Sequence, residues 1–127
     1  KKKKKKKKKE YKKKKKRNYH GNANTFVGEL HESEMFSEHL YNELCEAIKG
    51  YTEETRNNIN TIDREYSWYI ASLYSWFLIE MGCHFDPIDG HRIKNVTDKY
   101  LRDTLELNEL RIVVEQYFMG DANIPNP

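Results

Sequence analysis

Cysteine, proline and glycine are scarce in this chain: two, three and six among 127 residues. Two cysteines do not make a disulfide scaffold. With no secretory signal visible, the expected setting is an intracellular, reducing compartment with both thiols free. An apolar run of membrane length is also missing. The richest window, Tyr66 to Ile79, is 14 residues with three serines and lies between Glu65 and Glu80, whereas a span needs about 20 apolar residues. That window reads as a core helix. There is no phosphate loop, dinucleotide fingerprint, zinc-protease motif or Cys-x-x-Cys pair, and no internal repeat. No cofactor and no metal are therefore expected, and an enzyme is the least favoured class. What is present is a 13% share of aromatics, which argues against disorder throughout.

The formal net charge of +3 hides two opposed parts. Residues 1–17 hold fifteen basic side chains against Glu10 alone, a net +14. Residues 18–127 hold eight basic side chains against nineteen acids, a net −11. The tail is low-complexity, and like charges three and four apart repel on a helix, so alone in water it is expected to be unstructured. Extended, it reaches about 55–60 Å. Lys5, Lys6, Lys7, Lys8, Lys9, Lys12, Lys13, Lys14, Lys15, Lys16 and Arg17 are the candidate nucleic-acid-binding residues, because lysine binds phosphate by counterion release without reading sequence. An anionic membrane surface attracts the same residues. A solvated, translated-in run from an A-rich gene is the plain alternative.

The body reads as all-α, a small bundle of four helices with a long, central second helix. Residues 18–32 lack periodicity and carry Gly21 and Gly28, which reads as an irregular linker with Phe26, Val27 and Leu30 docking on the body. Residues 33–120 form the helical domain, and 121–127 a loose tail. The first helix is expected over 34–49, capped by Ser33 and stopped by Gly50, with Phe36, Leu40, Leu44, Ala47 and Ile48 as its stripe and Tyr41 and Cys45 at the edge. The second is expected over 53–81, from Thr52 as cap to Gly82 as stop. Ile62, Tyr66, Tyr69, Ile70, Leu73, Trp76 and Phe77 fall on one side of it. Trp68, Leu78 and Ile79 lie off that stripe, and Ser67, Ala71 and Ser75 repeat every four residues. A helix apolar all round is a central one. The C-terminal pattern is expected to break near Leu107 into 97–106, capped by Thr97, and 108–119, capped by Asn108 and ended by Gly120. Leu101, Leu105, Leu110, Val113, Val114 and Phe118 complete the expected core.

Polar constellations are few. Glu80, Cys83, His84, Asp86, Asp89 and His91 crowd twelve residues at the exit of the second helix. Their types suit zinc or a Cys–His nucleophile pair, but Asp86-Pro87 and Asp89-Gly90 are turn dipeptides and explain the aspartates structurally. Glu80 projects inside the apolar stripe and needs a partner, Arg92 or Arg102, or an escape to water. Histidines 20, 31 and 39 read as surface residues, and Asn95-Val96-Thr97 as a helix cap.

Two functions of different class follow. The first is a non-catalytic subunit of a larger, nucleic-acid-containing assembly, its body docking on protein and its tail on phosphates; Trp68, Glu38 and Glu46 are the candidate protein-binding residues. The alternative is an acidic inhibitor or immunity-type protein whose body blocks the basic cleft of a nuclease.

Overall fold

The computed structural model describes residues 25–58, 63–96 and 105–121. The tail, residues 18–24 and positions Ile62, Thr97, Leu101 and 122–127 fall outside them. The fold is all-α, with four helices and no strand among the described residues. These are α1 (Phe26–Glu32), α2 (Glu38–Thr55, continued by a 3-10 turn over Arg56–Asn58), α3 (Arg64–Phe85) and α4 (Leu105–Met119).

Helix α1 lies where an irregular linker is expected. Thr25 caps it, its Oγ1 accepting the Gly28 N–H at 3.1 Å. Phe26, Val27 and Leu30 are buried. The docking of these three holds, but as one face of a helix. Seven residues are too few for helical propensity to sustain alone, so tertiary burial maintains these two turns. After α1, Glu34 takes a left-handed φ of 49° and turns the chain. The Phe36 N–H then donates to the Lys94 carbonyl at 2.8 Å and the Lys94 N–H to the Glu34 carbonyl at 2.7 Å, a single parallel bridge.

Helix α2 starts at Ser37, whose Oγ accepts the Leu40 N–H at 3.3 Å, and not at Ser33. It also runs through Gly50 to Thr55. The reason is burial of Tyr51 and Thr52, whose packing outweighs the roughly 0.5–1 kcal/mol that an internal glycine costs. Thr52 therefore lies inside α2, its hydroxyl donating to the Ile48 carbonyl, and caps nothing. The cap of α3 is Asp63, whose Oδ1 accepts the Tyr66 N–H at 3.0 Å. Helix α3 passes Gly82 to Phe85, which packs partly buried against the core. Nor does α4 break at Leu107, as it is continuous across Asn108. It ends as expected. Gly120 at φ 79° donates to the Tyr117 carbonyl, and the Asp121 N–H to the Gln116 carbonyl, which satisfies two of the last four carbonyls.

The core joins α2 to α4 most extensively, with α1 laid on α3 and α2, and α3 on α4. Phe36, Leu44, Ile48, Tyr66, Ile70, Leu73, Phe77, Leu110, Val113 and Val114 are buried as expected, and Leu40 packs partly buried against them. One expected core residue is not buried: Phe118 is 46% exposed because Tyr117 takes the inward place. Trp76, on the stripe's side in projection, stands one position off the buried 66–70–73–77–81 line and is 47% exposed. Nor is α3 enclosed by the bundle: it buries one face only, with Trp68, Leu78 and Ile79 half exposed.

Tyr41, at the stripe's edge in projection, is the best-connected core residue. Its ring lies 5.2 Å from Phe26, 5.4 Å from Phe36 and 6.4 Å from Phe77, and its Oη accepts the Leu110 N–H at 3.0 Å. A second aromatic group closes the other end of the bundle. Tyr51 and Tyr66 stack at 3.8 Å, Tyr117 lies 5.3 Å from Tyr66, and Ser67 Oγ and Tyr117 Oη share a hydrogen bond at 2.8 Å. Burial, then the Asp63 charge, pushes the Tyr51 hydroxyl up.

If α1 is integral to the core, Phe26→Ala should cost about 3–5 kcal/mol, comparable to Leu73→Ala at about 2–5 kcal/mol. Denaturant unfolding measures both. A Phe26→Ala loss under about 0.5 kcal/mol would restore the linker reading.

Candidate functional site

The exit of α3 carries the densest polar cluster. Glu80, whose side chain is only 12% exposed, sits between two imidazoles: His91 Nε2 at 2.8 Å from Oε2 and His31 Nδ1 at 3.5 Å from Oε1. The His91 contact is close but does not have hydrogen-bond geometry. His91 Nδ1 lies 3.6 Å from Glu34 Oε1. Among the described residues the partners of Glu80 are therefore histidines and not Arg92, while Arg102 lies outside the described residues. His31 comes from α1, a helix absent from the sequence reading, and Glu34 from the strained turn after it. Through these contacts the cluster acts as a clasp that brings the end of α1 and the 86–93 loop against α3.

The remaining members of the exit cluster have separate tasks. The Asp89 carboxylate accepts the His91 backbone N–H at 2.8 Å, which holds its carboxyl below the usual range. Partial burial, and then Asp89, to which Cys83 is hydrogen-bonded, push the Cys83 thiol up, the opposite of what a nucleophile needs. His84 Nδ1 accepts the Ile93 N–H at 2.9 Å, so this imidazole orders the loop and does not face Cys83 as a base. Asp86 forms a turn with the Ile88 N–H. Among the described residues no three His, Cys, Asp or Glu side chains are placed to hold a metal ion. Cys45 is buried in α2, its thiol pushed well up by burial, and both cysteines are free.

Two surfaces remain. The outward face of α3 carries the half-exposed Trp68, Trp76, Leu78 and Ile79, with the Trp76 ring edge-on to His31 at 6.1 Å. The outward face of α2 exposes Glu38, Glu43, Glu46 and Glu53, with His39 3.6 Å from Glu43. Trp68, Glu38 and Glu46 are thus all at the surface, on two different faces that the structure does not bring together. The candidate phosphate-binding residues of the tail lie outside the described residues. No helix among the described residues is long and apolar enough to cross a membrane. No protein-family model, curated protein or solved structure matches the chain.

The exit loop has a pH dependence of definite sign. Burial, then the charges of Arg92 and His91, hold His84 below the ordinary histidine pKa. As pH falls below about 6.5 the unfolded chain takes up this proton first. The stability that His84 contributes is present above that pH and is lost as pH falls toward its folded value. Asp89 acts in the same direction but only in the lower, carboxylate range. Thermal unfolding between pH 7 and 5 should show a falling midpoint, and His84→Gln, which keeps an acceptor for Ile93, should flatten it. An unchanged slope in the variant would contradict this assignment.

Proposed function

We propose that the chain is a non-catalytic helical subunit of a larger, nucleic-acid-containing assembly. The body docks on protein and the basic tail contacts phosphates without sequence preference. The observation that carries this reading is the outward face of α3, where four large apolar side chains stand about half exposed on one helix. Grouped exposure of this kind marks contact surfaces, and aromatic anchors such as Trp68 and Trp76 concentrate binding energy. The tail adds an affinity of a different kind, +14 on 17 residues beside a body of −11. The exit cluster supports a structural role, since each of its polar groups is engaged in holding α1 and the loop.

The outward acids of α2 favour a second reading, an inhibitor whose Glu38 and Glu46 face occupies a basic cleft. The two readings separate on charge variants of the full chain. Docking with phosphate contact requires nucleic-acid binding that vanishes when the tail lysines become Gln and survives when they become Arg. The inhibitor reading requires a complex with a basic protein that survives the Gln tail and is lost in Glu38→Gln/Glu46→Gln.

Fluorescence anisotropy with two unrelated oligonucleotides over a salt series supplies the numbers. Engagement of about 6–10 phosphates predicts equal affinity for both sequences and a loss of roughly 10³–10⁵ between 50 and 200 mM salt. Tyr11 is the only aromatic in the tail and gives little preference by stacking. A salt-independent affinity, a strong sequence preference, or undiminished binding with the Gln tail would each refute the phosphate contact.

A further inference from the structure

Charge is spread unevenly over the body. Between Glu29 and Glu54 eight acids stand against one basic side chain, Lys49, a net −7 of the body's −11 within 26 residues. The structure turns this block outward. Glu32 and Glu34 are exposed at the end of α1 and in the turn after it, and Glu43, Glu46 and Glu53 are exposed along α2. At 100° per residue these last three fall within about 80° of one another, so they line one face of a helix about 27 Å long. The outward side of α3 offers no comparable field. Between Ser67 and Gly82 its one charged side chain is Glu80, which is turned inward to His91 and His31.

The chain enters the body beside this face. Phe26 opens α1, and its ring lies 5.2 Å from Tyr41 in the first turn of α2. Residues 18–24 precede it and extend to about 23–25 Å, twice the roughly 10–12 Å thickness of a helix. Residues 1–17, net +14, are thereby tethered next to the most acidic part of the same molecule. We propose that this tail docks along the outward face of α2, its lysines against Glu43, Glu46 and Glu53, so that the body and a nucleic acid compete for it. Each exposed Lys–Glu contact is weak, but a short tether holds the tail at an effective concentration in the millimolar range. A tail held about 90% of the time binds phosphate about tenfold more weakly than a free one. Charge density decides what displaces it. Glu43 to Glu53 offers three acids over about 15 Å, whereas duplex DNA carries one charge per roughly 1.7 Å. A dense phosphate track therefore takes the tail, and a sparsely charged anion does not. This inference rests on the reading that the tail contacts phosphates, and it gives that contact its regulation.

Amide NMR of the full chain tests the docking with no nucleic acid present. At about 50 mM salt the amides of Glu43 to Glu53 should differ in shift between the parent and a chain whose tail lysines are Gln. Raising the salt to about 0.5 M should move the parent to the variant's values. Fluorescence anisotropy then tests the competition. Glu43→Gln/Glu46→Gln/Glu53→Gln should bind an oligonucleotide about tenfold more tightly than the parent at the lower salt. Glu65→Gln/Asp86→Asn/Glu115→Gln removes the same charge from exposed positions elsewhere and should gain less than about threefold, since only screened long-range repulsion is relieved. Equal gains in the two variants, or α2 amides indifferent to tail and salt, would each overturn the proposal. Responsive amides in a chain that binds no oligonucleotide would uphold the docking and refute the phosphate reading alone.

Discussion

Tyr41 is the residue on which the arrangement of all four helices depends. Fully buried on α2, it presents its ring to Phe26 of α1, Phe36 of the connector and Phe77 of α3, and its oxygen to the backbone N–H of Leu110 on α4. Ring contacts fix distance loosely, whereas the hydrogen bond fixes it to within a few tenths of an ångström. A hydrogen bond of this kind is worth about 0.5–1.5 kcal/mol net, so a register of α4 that withdraws Leu110 from Tyr41 loses it. This one side chain thus specifies which face of each helix turns inward.

The parts of the fold legible in the sequence are those where burial and local pattern agree. The stripes of α2 and α4, the inner line of α3 and the Gly120 stop all have a period or a terminator that survives in the structure. The misreadings share a cause, which is contact from elsewhere in the chain. Gly50 and Gly82 look like stops, yet Tyr51, Thr52 and Phe85 beyond them pack on the bundle and carry the helix through. Helix α1 is too short to show a period, and its Gly28 reads as a breaker. Only the Thr25 cap and the spacing of Phe26 and Leu30 signal it. Losing α1 also hides the partner of Glu80, since His31 reaches it from that helix. The need of Glu80 for a partner was readable from its place in the stripe. The identity of that partner depends on tertiary structure.

The inward constraint has an outward consequence. With Tyr66, Ile70, Leu73, Phe77 and Met81 committed to the core and Glu80 to the histidine clasp, what remains at the surface of α3 between Ser67 and Gly82 is aromatic, aliphatic or small, and uncharged. The acids that make the body negative lie on other faces, notably Glu38 and Glu46 on α2. The chain thus separates three kinds of surface: apolar on α3, acidic on α2, and basic in the sequence of the tail. The proposed docking through the first and the proposed phosphate contact through the last would make independent demands on the chain.

The central claim is that the inner faces make the fold and the outer face of α3 contributes nothing to it. Unfolding free energies measured on dilute, monomeric protein test this directly, comparing Leu78→Lys/Ile79→Lys with Tyr41→Phe. The outer pair should stay within about 0.5 kcal/mol of the parent, as surface substitutions do. Tyr41→Phe should lose about 0.5–1.5 kcal/mol with the hydrogen bond to the Leu110 N–H. The reverse order, with the outer pair strongly destabilised and Tyr41→Phe neutral, would contradict the account.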